Sequence, residues 1–152
     1  MIGREDKKSN DLFFTCSLID YIARKTKNKR YIVVQKLGKE KIKKIYDLAD
    51  IYHSYNIEQV AHDFINEVGI SIGDFDNVSE CKYAIPTHWD IGKVYKRLIL
   101  GVSKEKNIGI IDALFEVYNS FICKLIDDYN GSFYYENPQF ILNTYLTGKI
   151  ED

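Results

Sequence analysis

Three histidines (His53, His62, His88) and three cysteines (Cys16, Cys81, Cys123) are the residues best suited to hold a metal or act as nucleophile and base. Their spacing supports neither role. A structural or catalytic zinc centre reads as paired ligands at short, regular intervals, and no HxxxH, HExxH or CxxC run occurs. Asp74-Phe75-Asp76-Asn77 resembles the opening of a calcium loop. The pattern then fails, because Val78 takes a ligand position, Ser79 stands where the sharp turn needs glycine, and Ile85 replaces the closing glutamate. Cys81 and His88 could form a thiol–imidazole pair, yet the acidic segment around them would raise the thiol pKa. Phosphate-cradling GxxxxGK[ST] and GxGxxG runs and a GxSxG elbow are also missing. The expectation is no catalytic group, no cofactor and no metal.

Two stretches remain as candidate binding surfaces. Residues 24–44 carry ten basic residues and one acid, Glu40. Lys29, Arg30, Lys41, Lys43 and Lys44 are the candidate nucleic-acid contacts there, with Tyr31 as an aromatic neighbour. The second stretch runs through the loop and junction at 69–90. Phe75, Tyr83 and Trp89, with His88 and Asp90, would present apolar anchors inside an acidic rim, the pattern of a protein-binding hot spot. Burial of Trp89 as a staple beneath the following helix is the competing expectation.

Charge and composition set the frame around these candidates. The chain has 152 residues, 45% of them apolar and 28% charged, with a formal charge of −1. This describes one ordinary folded domain and excludes a uniformly basic or acidic binding protein. Residues 45–90 hold nine acids and one lysine, Lys82, so the basic block is followed by an acidic one. Either the two neutralise one another within the fold or they form opposed patches. No apolar run reaches 18 residues and Met1–Asp11 is polar, so neither a membrane span nor a signal peptide is expected. Three cysteines without CxxC spacing read as reduced thiols of a cytoplasmic protein. With 21 Ile, 17 Lys and 12 Tyr against 5 Ala and 4 Arg, the composition follows AT-rich codons, and the tyrosines need not each have a purpose.

Helical periodicity dominates the elements that must carry these residues. Leu12 to Ala23 forms an apolar face, with Asn10 or Asp11 placed to cap it. Asn28 could cap a short helix through Leu37, a strand remaining open at Tyr31–Val34, and Gly38 would stop it. A helix from Lys39 to about Tyr55 and another from Ile57 to Val68 follow, the latter closed by Gly69. Residues 69–86 lack any period and form a long irregular loop. Thr87 and Asp90 then make an acidic capping box for a helix carrying Ile91, Tyr95, Leu98 and Val102. The strongest apolar stripe, from Ile111 through Phe121 to Tyr129, predicts a central helix of about five turns. Asn137-Pro138 starts the last helix and Gly148 ends it. The chain therefore predicts an all-α single domain, one compact bundle of six or seven helices, with halves 11–69 and 87–148 packed together. Lys25-Thr-Lys-Asn28 and Lys104-Glu-Lys-Asn107 form a faint internal echo.

Ile22-Ala23-Arg24-Lys25, Tyr46-Asp47-Leu48, Tyr52-His53 and Val60-Ala61-His62-Asp63-Phe64-Ile65 resemble a bacterial helical domain family of unknown function. Its members are often encoded beside ADP-ribosyltransferase-like, toxin-type proteins. Pro86-Thr-His-Trp-Asp90, Tyr118-Asn-Ser-Phe121 and Tyr134-Tyr-Glu-Asn-Pro138 likewise resemble segments of uncharacterised bacterial proteins. The resemblance implies an antitoxin-like or accessory partner module and implies no activity. The expected function is thus protein interaction, with a second copy of the chain also admissible as partner. The alternative is a nucleic-acid-binding regulator using residues 24–44.

Overall fold

The computed structural model describes residues 4–150, with side chains from residue 7. It holds eight α-helices and, among the described residues, no strand. They are α1 (Arg4–Thr26), α2 (Arg30–Asp47), α3 (Ala49–His53), α4 (Ile57–Val68), α5 (His88–Lys106), α6 (Ile110–Tyr118), α7 (Ile122–Ile126) and α8 (Pro138–Thr147), with a 3-10 turn at Phe133–Tyr135. The all-α bundle expected from periodicity is therefore observed, with shorter pieces than the stripe predicts.

The centre of the bundle is α1, not the 111–129 stretch. It packs along α5 and also touches α2, α3 and α4. From Phe14 to Ile19 every residue is buried, with Ile22, Ala23 and Thr26 beyond. The apolar face from Leu12 to Ala23 marks the helix, but Thr15, Ser17 and Asp20 are sealed as well, so that stripe alone understates how central α1 is. The close crossing with α5 depends on Gly92, since a Cβ there would stand 2.9 Å from Ser17 Cα and N. The expected cap at Asn10 or Asp11 lies inside the helix. Asp11 there accepts a hydrogen bond from Lys7 one turn earlier, at 2.9 Å.

The expected five-turn helix over 111–129 is broken between α6 and α7. Local side chains compete with the helical ladder there. Asn119 Nδ2 donates to the Phe115 carbonyl at 2.9 Å, and Ser120 Oγ donates to the Val117 carbonyl at 2.7 Å. Helix resumes in register, so Ile122 and Ile126 still reach the core, but Phe121 turns outward and is 41% exposed. Its assignment to the core is corrected. The expected helix 39–55 is likewise divided at Leu48, while Gly38, non-helical at φ 78° and ψ 168°, separates α2 into two helical pieces, as the expected stop there requires. The capping box of Thr87 and Asp90, the Asn137 cap before Pro138 and the left-handed stops at Gly69 and Gly148 are all present.

Asn28 does not cap α2. Its amide donates to Thr26 Oγ1 and to the Ser71 carbonyl, both at 2.9 Å, and so ties the 69–87 connection to the end of α1. The internal echo falls on two similar helix ends. Lys27 and Asn107 each adopt the left-handed region, at φ 54° and 52°, and the next residue's N–H closes a Schellman bond to Ala23 and to Ser103.

Candidate functional site

One polar knot fastens the bundle at the end where α1, α2 and the post-α7 segment meet. Asp20 Oδ1 accepts from Arg30 Nε and Oδ2 from Arg24 Nε, each at 2.7 Å. Tyr129 Oη accepts from Arg30 at 3.0 Å and Arg24 at 3.2 Å and donates to Asp20 at 3.4 Å. Arg24 also donates to the Pro86 carbonyl at 2.7 Å, so the end of the long loop joins the knot. Asp20 and Arg30 are sealed from solvent, which requires such complete satisfaction of their charges.

The long connection is an ordered strap. Gly73 N–H donates to the Thr26 carbonyl at 2.8 Å and Phe75 N–H to the Lys27 carbonyl at 2.9 Å. A Cβ at Gly73 would meet the Lys27 carbonyl at 2.6 Å, so only glycine permits this approach. Asn77 Nδ2 donates to the Asp127 carbonyl at 2.9 Å, and Lys82 N–H donates to Asn130 Oδ1 at 2.7 Å.

Between this strap, the first turns of α2 and the α6–α7 break lies a cleft of about 790 Å³. That volume falls within the range of about 300–1,000 Å³ typical of ligand sites. Its lining combines Tyr31, Phe75 and Phe121 with Lys29, Lys124, Glu80, Asp127 and Asp128. Tyr31 and Phe121 are 37% and 41% exposed on its rim. Asp127 is only 5% exposed, and its Oδ1 accepts from Tyr95 Oη at 2.9 Å. Burial pushes its carboxyl up to about 7, against the opposing pull of the Arg30 charge. Burial also raises the Cys123 thiol and the Tyr129 phenol, so neither is an activated nucleophile or base at neutral pH.

The structure disperses the candidate anchors of the 69–90 segment. Phe75 lines the cleft, with the Lys29 ammonium 6.0 Å from its ring centroid. Tyr83 is 69% exposed and lies outside the cleft lining. Trp89 is half-buried in an aromatic cluster, 5.5 Å from Phe13, 4.8 Å from His88 and 6.2 Å from His53. Its packing is that of a staple between α1, α3 and α5. The His88 ring sits edge-on to Tyr21, and burial, followed by the Arg24 charge, lowers its pKa. Asp90 is engaged in the capping box with Thr87. Cys81 donates weakly toward the carbonyls of Tyr83 and Tyr129, at 3.4 and 3.7 Å. Among the described residues no group of three His, Cys, Asp or Glu side chains is placed to hold a metal.

The basic block is largely neutralised within the fold. Arg30 is buried on Asp20 and cannot reach a phosphate, so its assignment as a nucleic-acid contact is corrected. Lys41 pairs with Glu67 at 2.6 Å, Lys43 with Asp47 at 2.7 Å and Lys39 with Asp112 at 2.9 Å. Lys25 and Lys27 lie 3.9 Å from Glu58 and Asp76. Lys29 and Lys44 remain solvent-facing. Sequence reasoning took Tyr31 only as an aromatic neighbour of the basic stretch, placed Phe121 in the core, and did not single out Asp127, an acid just past the end of α7. No helix among the described residues is long and apolar enough to cross a membrane. No family model, curated protein or solved structure matches the chain.

Proposed function

We propose that the protein is a protein-interaction module that docks a segment of its partner in the cleft between the 69–87 strap, α2 and the α6–α7 break. The observation carrying this reading is the pair of rim aromatics, Tyr31 and Phe121, held exposed on helical ends above a preformed cleft. Aromatic side chains on a rigid rim are the usual carriers of binding energy. Polar groups such as Gln35, Asn119 and Asn130 in the same lining can satisfy the backbone of a bound segment. The resemblance to helical domains encoded beside toxin-type proteins favours an antitoxin-like or accessory role, and the free thiols suit the reducing cytoplasm.

Against the nucleic-acid alternative stand the ion pairs that occupy Arg30, Lys41 and Lys43. The test is capture from the native host, followed by reconstitution of the identified partner from purified components. Tyr31→Asp/Phe121→Asp should abolish that purified complex at unchanged melting temperature, whereas Tyr55→Asp, on a separate groove, should leave it intact. Absence of any reconstituted protein complex, or equal binding by the cleft variant, would overturn the reading.

A further inference from the structure

A buried carboxyl group, that of Asp127, lines the cleft. Asp127 ends α7, where the helix stops at Ile126, and its side chain is nine-tenths buried while still lining the cleft. One of its oxygens accepts from Tyr95 Oη at 2.9 Å. Among the described residues no donor reaches the other. A buried carboxylate normally has its lone pairs filled, and an oxygen left open toward a cavity is an acceptor held ready for a donor from outside.

The groups around Asp127 limit what that donor can be. From α1, Arg24 and Asp20 face it, and from α2 so does Arg30, but both arginines are committed to Asp20 and Tyr129. From α5 the facing group is Tyr95, and Cys123 of α7 lies beside them. On the rim, Glu80 of the strap and Asp128 are acidic, opposed by Lys29 and Lys124. With Asp127 ionised, the lining holds three carboxylates against two ammonium groups. Arg24 and Arg30 against Asp20 leave one positive charge behind Asp127, so the surroundings balance overall, and it is the Asp127 carboxylate itself, facing the cleft, that favours a cationic donor over an anionic one. The rim supplies planar faces at Tyr31, Phe75 and Phe121, which suit a flat, weakly hydrated guanidinium better than a compact ammonium.

We propose that the cleft seats an arginine side chain of the partner segment, with the carboxylate of Asp127 as its counter-ion. This rests on the docking reading and names the side chain that enters. Arginine stays charged at every pH of interest, so the proton linkage belongs to the protein. No histidine lines the cleft, and the neighbouring Cys123 and Tyr129 are pushed upward, away from neutrality. Asp127, which lines the cleft and is its one buried carboxyl, is then the switch: partner affinity strengthens as that carboxyl ionises.

The experiment uses N-acetylarginine methylamide and its neutral isostere N-acetylcitrulline methylamide as probes. Backbone amide shifts of the intact protein are followed by NMR between pH 6 and pH 8. The arginine probe should shift amides around Tyr31, Asn119 and Phe121. Its affinity should rise about tenfold across that range, following the ionised fraction of Asp127. The citrulline probe should bind far more weakly and without pH dependence. Asp127→Asn, which keeps an acceptor for Tyr95, should bind both probes alike. Equal binding of the two probes by the wild-type protein, pH-independent binding of arginine, or no cleft shifts at all would overturn the proposal. A reconstituted partner complex that survives those results and is still lost in the Tyr31/Phe121 variant would leave the docking reading standing. Loss of both would end it.

Discussion

Arg30 Nε donates to Asp20 Oδ1 across 2.7 Å with both side chains sealed from water. This contact joins the start of α2 to the C-terminal part of α1 and holds Tyr129, and with it the wall of the cleft, in place. Removing one partner strands the other charge. Arg30→Ala should therefore cost about 3–5 kcal/mol. Lys29→Ala, one residue earlier and exposed, should cost about 0.5 kcal/mol or less. Denaturant unfolding of the two variants checks the contrast, and equal midpoints would refute it.

Gly92 makes the second demand on the α1–α5 crossing. A Cβ at that position meets Ser17 backbone atoms at 2.9 Å, and backbone cannot rotate out of the way as a side chain can. Gly92→Ala should destabilise the protein by about 1–3 kcal/mol, despite the better helix propensity of alanine. A gain in thermal stability would show that the helices are free to separate.

The buried carboxyl of Asp127 gives stability a pH dependence whose sign is fixed. Its folded pKa is raised to about 7, so between the ordinary carboxylate range and neutrality the folded state holds a proton that the unfolded state has lost. Stability from this group is fully present below about pH 4 and is lost as pH rises through about 7. Asp127→Asn has no such loss. The stability difference between variant and wild type should move in the variant's favour by on the order of 2–4 kcal/mol from pH 4 to pH 8. Melting curves at the two pH values test this, and a constant difference would contradict it.

Phe121 and Trp89 exchange the roles suggested by their sequence context. Phe121, on the rim, should tolerate alanine with a loss of less than about 1 kcal/mol. Trp89 packs on Phe13, His53 and His88, and its truncation should cost about 1–3 kcal/mol more than that of Phe121. Thermal melts of both variants decide the order, and a larger loss at Phe121 would restore it to the core.

These residues also show which parts of the structure the sequence could specify. Terminal signals with a local partner read correctly at Thr87 with Asp90, Asn137 before Pro138, Gly69 and Gly148, but not at Asn10 or Asp11, which lie inside α1. Errors arose where the deciding partner was distant or the pattern was ambiguous. Asn28 looks like a cap until Ser71, far along the chain, takes its amide. The stripe through Phe121 continues across a break because α7 resumes in register, so periodicity alone does not reveal Asn119 and Ser120 turning onto the preceding carbonyls. The stripe from Leu12 to Ala23 reveals α1 as a helix, but the buried Thr15, Ser17 and Asp20 that make it central are polar and carry no hydrophobic signal. The cleft was hidden for the same reason, since its walls come from α2, the strap and the α6–α7 break, which only the fold brings together.

Site-specific photo-crosslinking of the reconstituted complex tests the docking cleft most directly. Benzoylphenylalanine would replace Tyr31, Phe121 or, on the separate groove beside Tyr52 and Phe64, Tyr55. Positions 31 and 121 should give covalent adducts to the same partner segment, and position 55 none. Adducts from position 55 alone, with 31 and 121 silent, would contradict it.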